Sequence, residues 1–193
     1  ETDYNSPLFD NSLLRWISLL FFVVASVLYL AAHRTLKIYL MVLLILAAAL
    51  FTSLIWGYKL EDFSSLFSPT LYADGPMFSS LGSLLLLNTF ISLVCACTYL
   101  VRRRIETLIR RNGSTVRRNI VIYGLVILLS IVAVFIYTHI SVKSLILNSS
   151  IPLELYRWNT NIPYTVAVYV SYAGILFSIL LLVQMLRPFV SQC

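Results

Sequence analysis

The stretch Arg102–Arg118 reads RRRIETLIRRNGSTVRR and separates two long apolar runs of the chain. It contains one acid, Glu106, and seven arginines: Arg102, Arg103, Arg104, Arg110, Arg111, Arg117 and Arg118. Short basic segments beside membrane spans are retained on the cytoplasmic side of the membrane. We therefore interpret the seven arginines as topology determinants and expect this stretch to be a loop inside the cell.

The composition around this stretch is that of an integral membrane protein. Hydrophobic residues make up 60% of the 193 residues, charged residues only 11%, and the mean hydropathy is +0.89. A soluble domain of this size has too little interior to bury so much apolar side chain. The net charge of +6 is explained by basic residues beside spans, which contact anionic headgroups, so we expect the lipid bilayer as partner and no nucleic acid.

Five apolar runs are long enough to cross a hydrocarbon core of about 30 Å as helices. The predicted spans are residues 16–32, 38–56, 81–101, 120–140 and 164–186. We predict an all-α membrane protein in which residues 13–193 form one five-span helical bundle, preceded by an exposed polar lead-in at residues 1–12.

The charges predict the orientation of this bundle. If the arginine stretch is inside, Arg34, Lys37 and Arg187 are inside too, which gives ten of the fourteen basic residues and one of the eight acids on that side. The predicted topology therefore has the amino terminus outside and the carboxyl terminus in the cytoplasm.

Two longer connections, at residues 57–80 and 141–163, lie outside in this topology. The first is either a short interfacial helix or an irregular loop with buried aromatic residues, and the second is predicted to lie along the membrane surface. Binding surfaces are often built on loops held by a rigid scaffold, so a signal would enter here, unless both loops only seal the bundle. The candidate signal-input residues are Tyr72, Glu154, Arg157 and Trp158.

The spans carry few groups suited to chemistry. Their interiors contain no Asp, Glu, Lys or Arg, which disfavours an ion-coupled transporter. Asn88 and Gln184 are the candidate interhelical polar residues, whose side chains are expected to bond neighbouring helices. The sequence has no G-x-S-x-G or H-E-x-x-H motif and no CxxC pair, so we predict no catalytic, metal or cofactor residue.

Several segments of the sequence together resemble a known family. They are DNSLLR at residues 10–15, LFSPTLYA at 66–73, SLGSLLLLN at 80–88, NSSIPLELYR at 148–157 and QMLRP at 184–188. These segments resemble the multipass transmembrane amino-terminal region of large bacterial membrane sensor histidine kinases. The resemblance implies a membrane anchor and signal-input module in the bacterial inner membrane.

The resemblance also implies that a kinase core lies further along a longer polypeptide and would form a homodimer. Because the chain opens with Glu1 instead of Met, we expect it to be a processed product or part of something longer. Neither His33 nor His139 lies in the acidic, proline-containing sequence around a phosphoacceptor histidine, so the chain itself is predicted not to be an enzyme.

Two other classes of function remain open at this stage. A small multipass transporter or lipid-binding carrier would show a water-filled cavity lined by Asn88, Gln184 or loop residues. A membrane enzyme with an unrecognised site would show clustered titratable groups at one depth. A sensor bundle should instead be packed shut, and its stimulus is not predicted by the sequence.

Overall fold

A computed structural model describes residues 11–59, 64–74, 79–111, 116–149 and 162–190 of the chain. About 92% of these residues are helical and none lies in a strand. The helices are α1 (Asn11–His33), α2 (Leu36–Lys59), α3 (Ser64–Phe67), α4 (Leu81–Arg111), α5 (Val116–Asn148) and α6 (Ile162–Val190).

Five of these helices, all except α3, are long and apolar enough to cross a membrane. The predicted fold class, an all-α membrane protein with five spans, is confirmed. Each predicted span lies within one helix. The helix α1 begins at Asn11, so the last two residues of the expected lead-in are helical, and residues 1–10 lie outside the described part of the chain.

The arginine stretch is not the loop that the sequence suggested. The helix α4 continues to Arg111 and α5 starts at Val116, so all seven arginines lie in helices. Arg, Leu, Ile and Glu are compatible with helix, whereas Asn112 and Gly113 favour a turn. The basic residues are thus carried on the ends of two long helices, and residues 112–115 between them are not described.

A second boundary also differs from the expected one. The helix α5 continues eight residues past the predicted span, to Asn148, and its 33 residues reach about 50 Å at 1.5 Å per residue. Residues 141–148 are therefore helical instead of part of a loop. This extension is stabilised by burial, because Ser141, Ser144 and Leu145 form a covered face.

The turn between α1 and α2 is as short as the sequence suggested. Arg34 adopts a left-handed conformation with φ of 46°, and its amide donates to the carbonyl of Leu30 at 2.8 Å. Its Nε also donates to the carbonyl of Ala31 at 3.0 Å, which satisfies a second carbonyl at the helix end. The first hydrogen bond of α2 follows directly, because the backbone carbonyl of Thr35 accepts from the amide of Tyr39 at 3.0 Å.

The helix α4 is central, since it contacts every other helix of the described chain. Its buried face includes Leu84, Asn88, Cys97 and Val101. The helix α1 is peripheral and exposes most of its apolar surface, which is expected of a helix facing lipid. The bundle is therefore organised as α1 and α2 on one side of α4, and α5 and α6 on the other.

Candidate functional site

Residues 64–74, which we call the cap segment, lie over one end of the bundle. This is the end at which α2 finishes and α4 begins, and we call it the cap end. The cap segment consists of α3 and the turn that follows it, and it contacts both α2 and α4. Two of its side chains, Phe67 and Tyr72, are buried in the bundle with 5% and 1% of their surface exposed.

The ring of Phe67 is clamped between two glycines of different helices. A Cβ added at Gly57 of α2 would lie 2.5 Å from three ring atoms, and one added at Gly82 of α4 would lie 2.9 Å from two. Carbon atoms do not approach this closely without something moving. The absence of a side chain at both positions therefore creates the slot that the ring fills.

Aromatic neighbours complete this slot. The ring of Tyr58 meets Phe67 edge-on, with 5.3 Å between centroids and 77° between planes, and Trp16 of α1 lies 6.3 Å from it. Trp16 in turn meets Trp56 edge-on at 6.0 Å. Trp and Tyr favour the boundary between hydrocarbon and headgroups, so this cluster marks the membrane interface at the cap end.

Tyr72 anchors the other half of the cap segment between α4, α5 and α6. Its hydroxyl is 2.5 Å from Oγ of Ser144 on α5, and its backbone forms an antiparallel bridge with Ser149. Its ring packs among buried residues of all three helices: Leu81, Leu84, Leu145 and Val168. Burial raises the pKa of Tyr72 above the ordinary value of 10.0, so the phenol remains protonated at neutral pH.

Tyr72 is thus not the surface residue that a signal-input role suggested. Its ring is 1% exposed and packs among buried residues of α4, α5 and α6 instead of facing solvent. The other three candidates of that surface, Glu154, Arg157 and Trp158, lie outside the described residues.

Hydroxyl groups close the cap segment and its flanks onto the helices. Ser65 and Tyr164 of α6 are 3.0 Å apart through their hydroxyl oxygens. The hydroxyl of Tyr58 lies 2.5 Å from that of Ser79 and 2.7 Å from that of Ser80. Together with the contacts of Phe67 and Tyr72, these bonds connect the cap end to all five membrane helices.

Below Tyr72, Asn88 joins three helices through its side-chain amide. Its Nδ2 donates to Oγ of Ser171 on α6 at 3.0 Å, and its Oδ1 accepts from the hydroxyl of Tyr137 on α5 at 2.8 Å. Asn88 has no exposed surface. Because a buried amide without partners is costly, these two bonds favour one register of α4 against α5 and α6.

Gln184 and the basic residues lie toward the opposite end of the bundle. Oε1 of Gln184 accepts from the hydroxyl of Tyr99 at 3.0 Å, and the guanidinium of Arg102 lies 4.0 Å from the centre of the Tyr99 ring. Among the other predicted topology determinants, Arg103, Arg104 and Arg118 are exposed. The side chains of four basic residues are not described: Arg110, Arg111, Arg117 and Arg187.

Sequence reasoning did not find the clamp around Phe67. The available signal was the position of Gly57 and Gly82 at helix ends that flank an aromatic-rich connection. Glycine in a membrane helix marks a place where another group approaches the backbone closely. That rule identifies the two glycines, but it does not identify their common partner.

Comparison with known proteins does not indicate a function for this site. Comparison with them finds no matching family model, no similar curated protein and no similar solved structure. Within the described residues, no three His, Cys, Asp or Glu side chains lie together in a way that could hold a metal ion.

Proposed function

We propose that this chain is the membrane anchor and signal-input module of a bacterial sensor histidine kinase, and that the kinase core belongs to a longer polypeptide. The observation that carries the proposal is the cap segment, which contacts α2 and α4 through Phe67 and α5 through Tyr72. It also bonds α6 through Ser65 and approaches Trp16 of α1. A change at this end of the bundle is thereby transmitted to every span.

The signal changes the balance between two arrangements of the helices. A ligand or force at the cap end favours the arrangement to which it binds more strongly, by the difference between its two affinities. The cap segment moves with α4, α5 and α6 because Tyr72 and Asn88 bond these helices to one another. The shift then passes along α6 to Arg187 and to the kinase core beyond it, where two copies pair.

The packing of the bundle supports this function over transport. Asn88 is buried and bonds Ser171 and Tyr137, while Gln184 is exposed and accepts from Tyr99. Neither residue lines the cavities found between α1, α2 and α4 or along α5. A carrier would use such polar groups to line a water-filled path.

Autophosphorylation with radiolabelled ATP tests the proposal. It is measured on the complete polypeptide, expressed in its native membrane. We expect label on a histidine, recognisable because the phosphate is lost in acid and retained in base, and we expect it on the sequence that follows Cys193. The proposal is wrong if this polypeptide has no kinase core or takes up no such label.

The proposed orientation places the cap end outside the inner membrane and the arginine-bearing ends of α4 and α5 in the cytoplasm. Single cysteines at Asp74 and Thr107, both exposed, test it in a background with Cys95, Cys97 and Cys193 replaced. A membrane-impermeant thiol reagent added to intact cells should label Asp74→Cys and leave Thr107→Cys unlabelled. Lysed cells supply the control, in which both should react. The reverse pattern in intact cells would invert the topology.

A further inference from the structure

Two adjacent apolar cavities lie along the bundle beside α1 and α4. One, of about 200 Å³, lies between Trp16 and Val23 of α1 and reaches Leu93 of α4. The other, of about 230 Å³, lies between Trp16 and the cap segment at Gly82. Three residues line both cavities, which together we call the groove: Trp16, Leu86 and Thr89.

The length of this groove matches one leaflet of a bilayer. From Gly82 to Leu93 the helix α4 rises about 16 Å, at 1.5 Å per residue. Half of a hydrocarbon core of about 30 Å is about 15 Å. The groove begins at the aromatic cluster that marks the interface and ends near the middle of the membrane.

The lining of the groove is suited to a hydrocarbon chain. The first cavity is lined by apolar side chains of three helices and by two hydroxyl-bearing residues, Ser53 and Thr89. Each of these hydroxyls donates to a carbonyl of its own helix, that of Ala49 or Leu85. The groove therefore presents an apolar surface of the kind that an acyl chain covers.

A cation lies beside the end of the groove at the aromatic cluster. Arg15 directly precedes Trp16, which lines both cavities, and its guanidinium lies 5.8 Å from the ring centre of Trp56. Arginine forms strong bonds to phosphate oxygens. This end of the groove thus has a positive charge beside it at the depth of lipid phosphates.

From these observations we propose that the groove is a lipid-binding site that holds one acyl chain of a glycerophospholipid, with the lipid phosphate at Arg15. The acyl chain fills the space between the peripheral helix α1 and α4. The bound lipid then acts as a packing element between α1 and the cap end of the bundle.

Fluorescence of Trp16 tests the site in lipid vesicles, with Trp56 and Trp158 replaced by Phe. Bromine atoms on an acyl chain quench a nearby indole, so a brominated phospholipid mixed into unlabelled phospholipid reports occupancy of the groove. We expect Thr89→Phe, which fills the groove, to lower the quenching of Trp16 at least twofold. The matched control Leu125→Phe, on the exposed face of α5, should leave it unchanged.

The headgroup preference is measured with the same signal. Brominated phospholipid should be preferred about tenfold over brominated diacylglycerol, which lacks the phosphate, and Arg15→Gln should abolish the preference. Arg118→Gln, at the other end of the bundle, is its control. If Thr89→Phe does not fold, as judged by its helical circular dichroism, Thr89→Leu takes its place.

Two results would overturn the site. One is that Trp16 is quenched equally in the Thr89→Phe variant and in the protein with Thr89. The other is quenching that disappears as the protein-to-lipid ratio rises, because a second copy of the chain would then occupy the groove in place of lipid.

Discussion

Replacing Phe67 by Ala should lower the free energy of unfolding by about 3 kcal/mol, the largest loss that we expect from a single side chain. The ring is 5% exposed and fills the slot between Gly57 and Gly82, neither of which has a side chain that could replace it. Its removal therefore leaves a cavity and loosens the cap segment from α2 and α4.

Denaturant titration of the detergent-solubilised protein, followed by circular dichroism, measures this loss. The matched control is Phe51→Ala, because Phe51 is 67% exposed on α2 and faces lipid or detergent. It should cost less than 1 kcal/mol, since little packing is lost at an exposed site. Equal losses for the two variants would mean that Phe67 does not anchor the cap segment.

Gly57→Ala should destabilise the protein by about 1 to 3 kcal/mol, whereas Gly124→Ala should stabilise it or leave it unchanged. Both glycines lie inside helices, where Ala is favoured over Gly by about 1 kcal/mol. At Gly124 a new Cβ meets no atom within 4 Å, so this helical preference is the whole effect. At Gly57 the new Cβ would lie 2.5 Å from the ring of Phe67, and the overpacking outweighs the helical preference.

A double variant shows whether the clash involves Phe67. In Gly57→Ala/Phe67→Leu the smaller side chain relieves the overlap, so the two changes together should cost less than the sum of their separate costs. The free energies come from the same denaturant titrations. Additive losses would place the strain of Gly57→Ala elsewhere in α2.

The spans could be predicted because the bilayer imposes its requirement on each segment alone. About 20 apolar residues must form a helix to cross the hydrocarbon core, whatever the rest of the chain does. The helical ends around Arg111 and Val116 were missed for a different reason. A run of charges between two spans suggests a loop, but arginine is a good helix former and only the Asn-Gly pair favours a turn.

The site was less predictable because its contacts join residues that are distant in the sequence. Asn88 finds Tyr137 and Ser171, which lie 49 and 83 residues further along the chain. Tyr72 was expected at the surface because it belongs to a connection, yet it pairs with Ser144, 72 residues away. A polar or aromatic residue indicates that a partner is needed, but only the packing of the helices determines which one.

The most direct test of the proposed signal input is a disulfide between the cap segment and α5. Tyr72 and Ser149 face each other in an antiparallel bridge, where Cα atoms are about 4.5 to 5.5 Å apart, a separation that a disulfide can span.

The variant Tyr72→Cys/Ser149→Cys is prepared in the complete polypeptide, without its other cysteines. Autophosphorylation is then measured in membranes before and after reduction. We expect the oxidised and reduced forms to differ at least threefold, because the bond holds the cap end in one arrangement. Equal phosphorylation of the two forms, with the disulfide verified, would contradict the signal-input role.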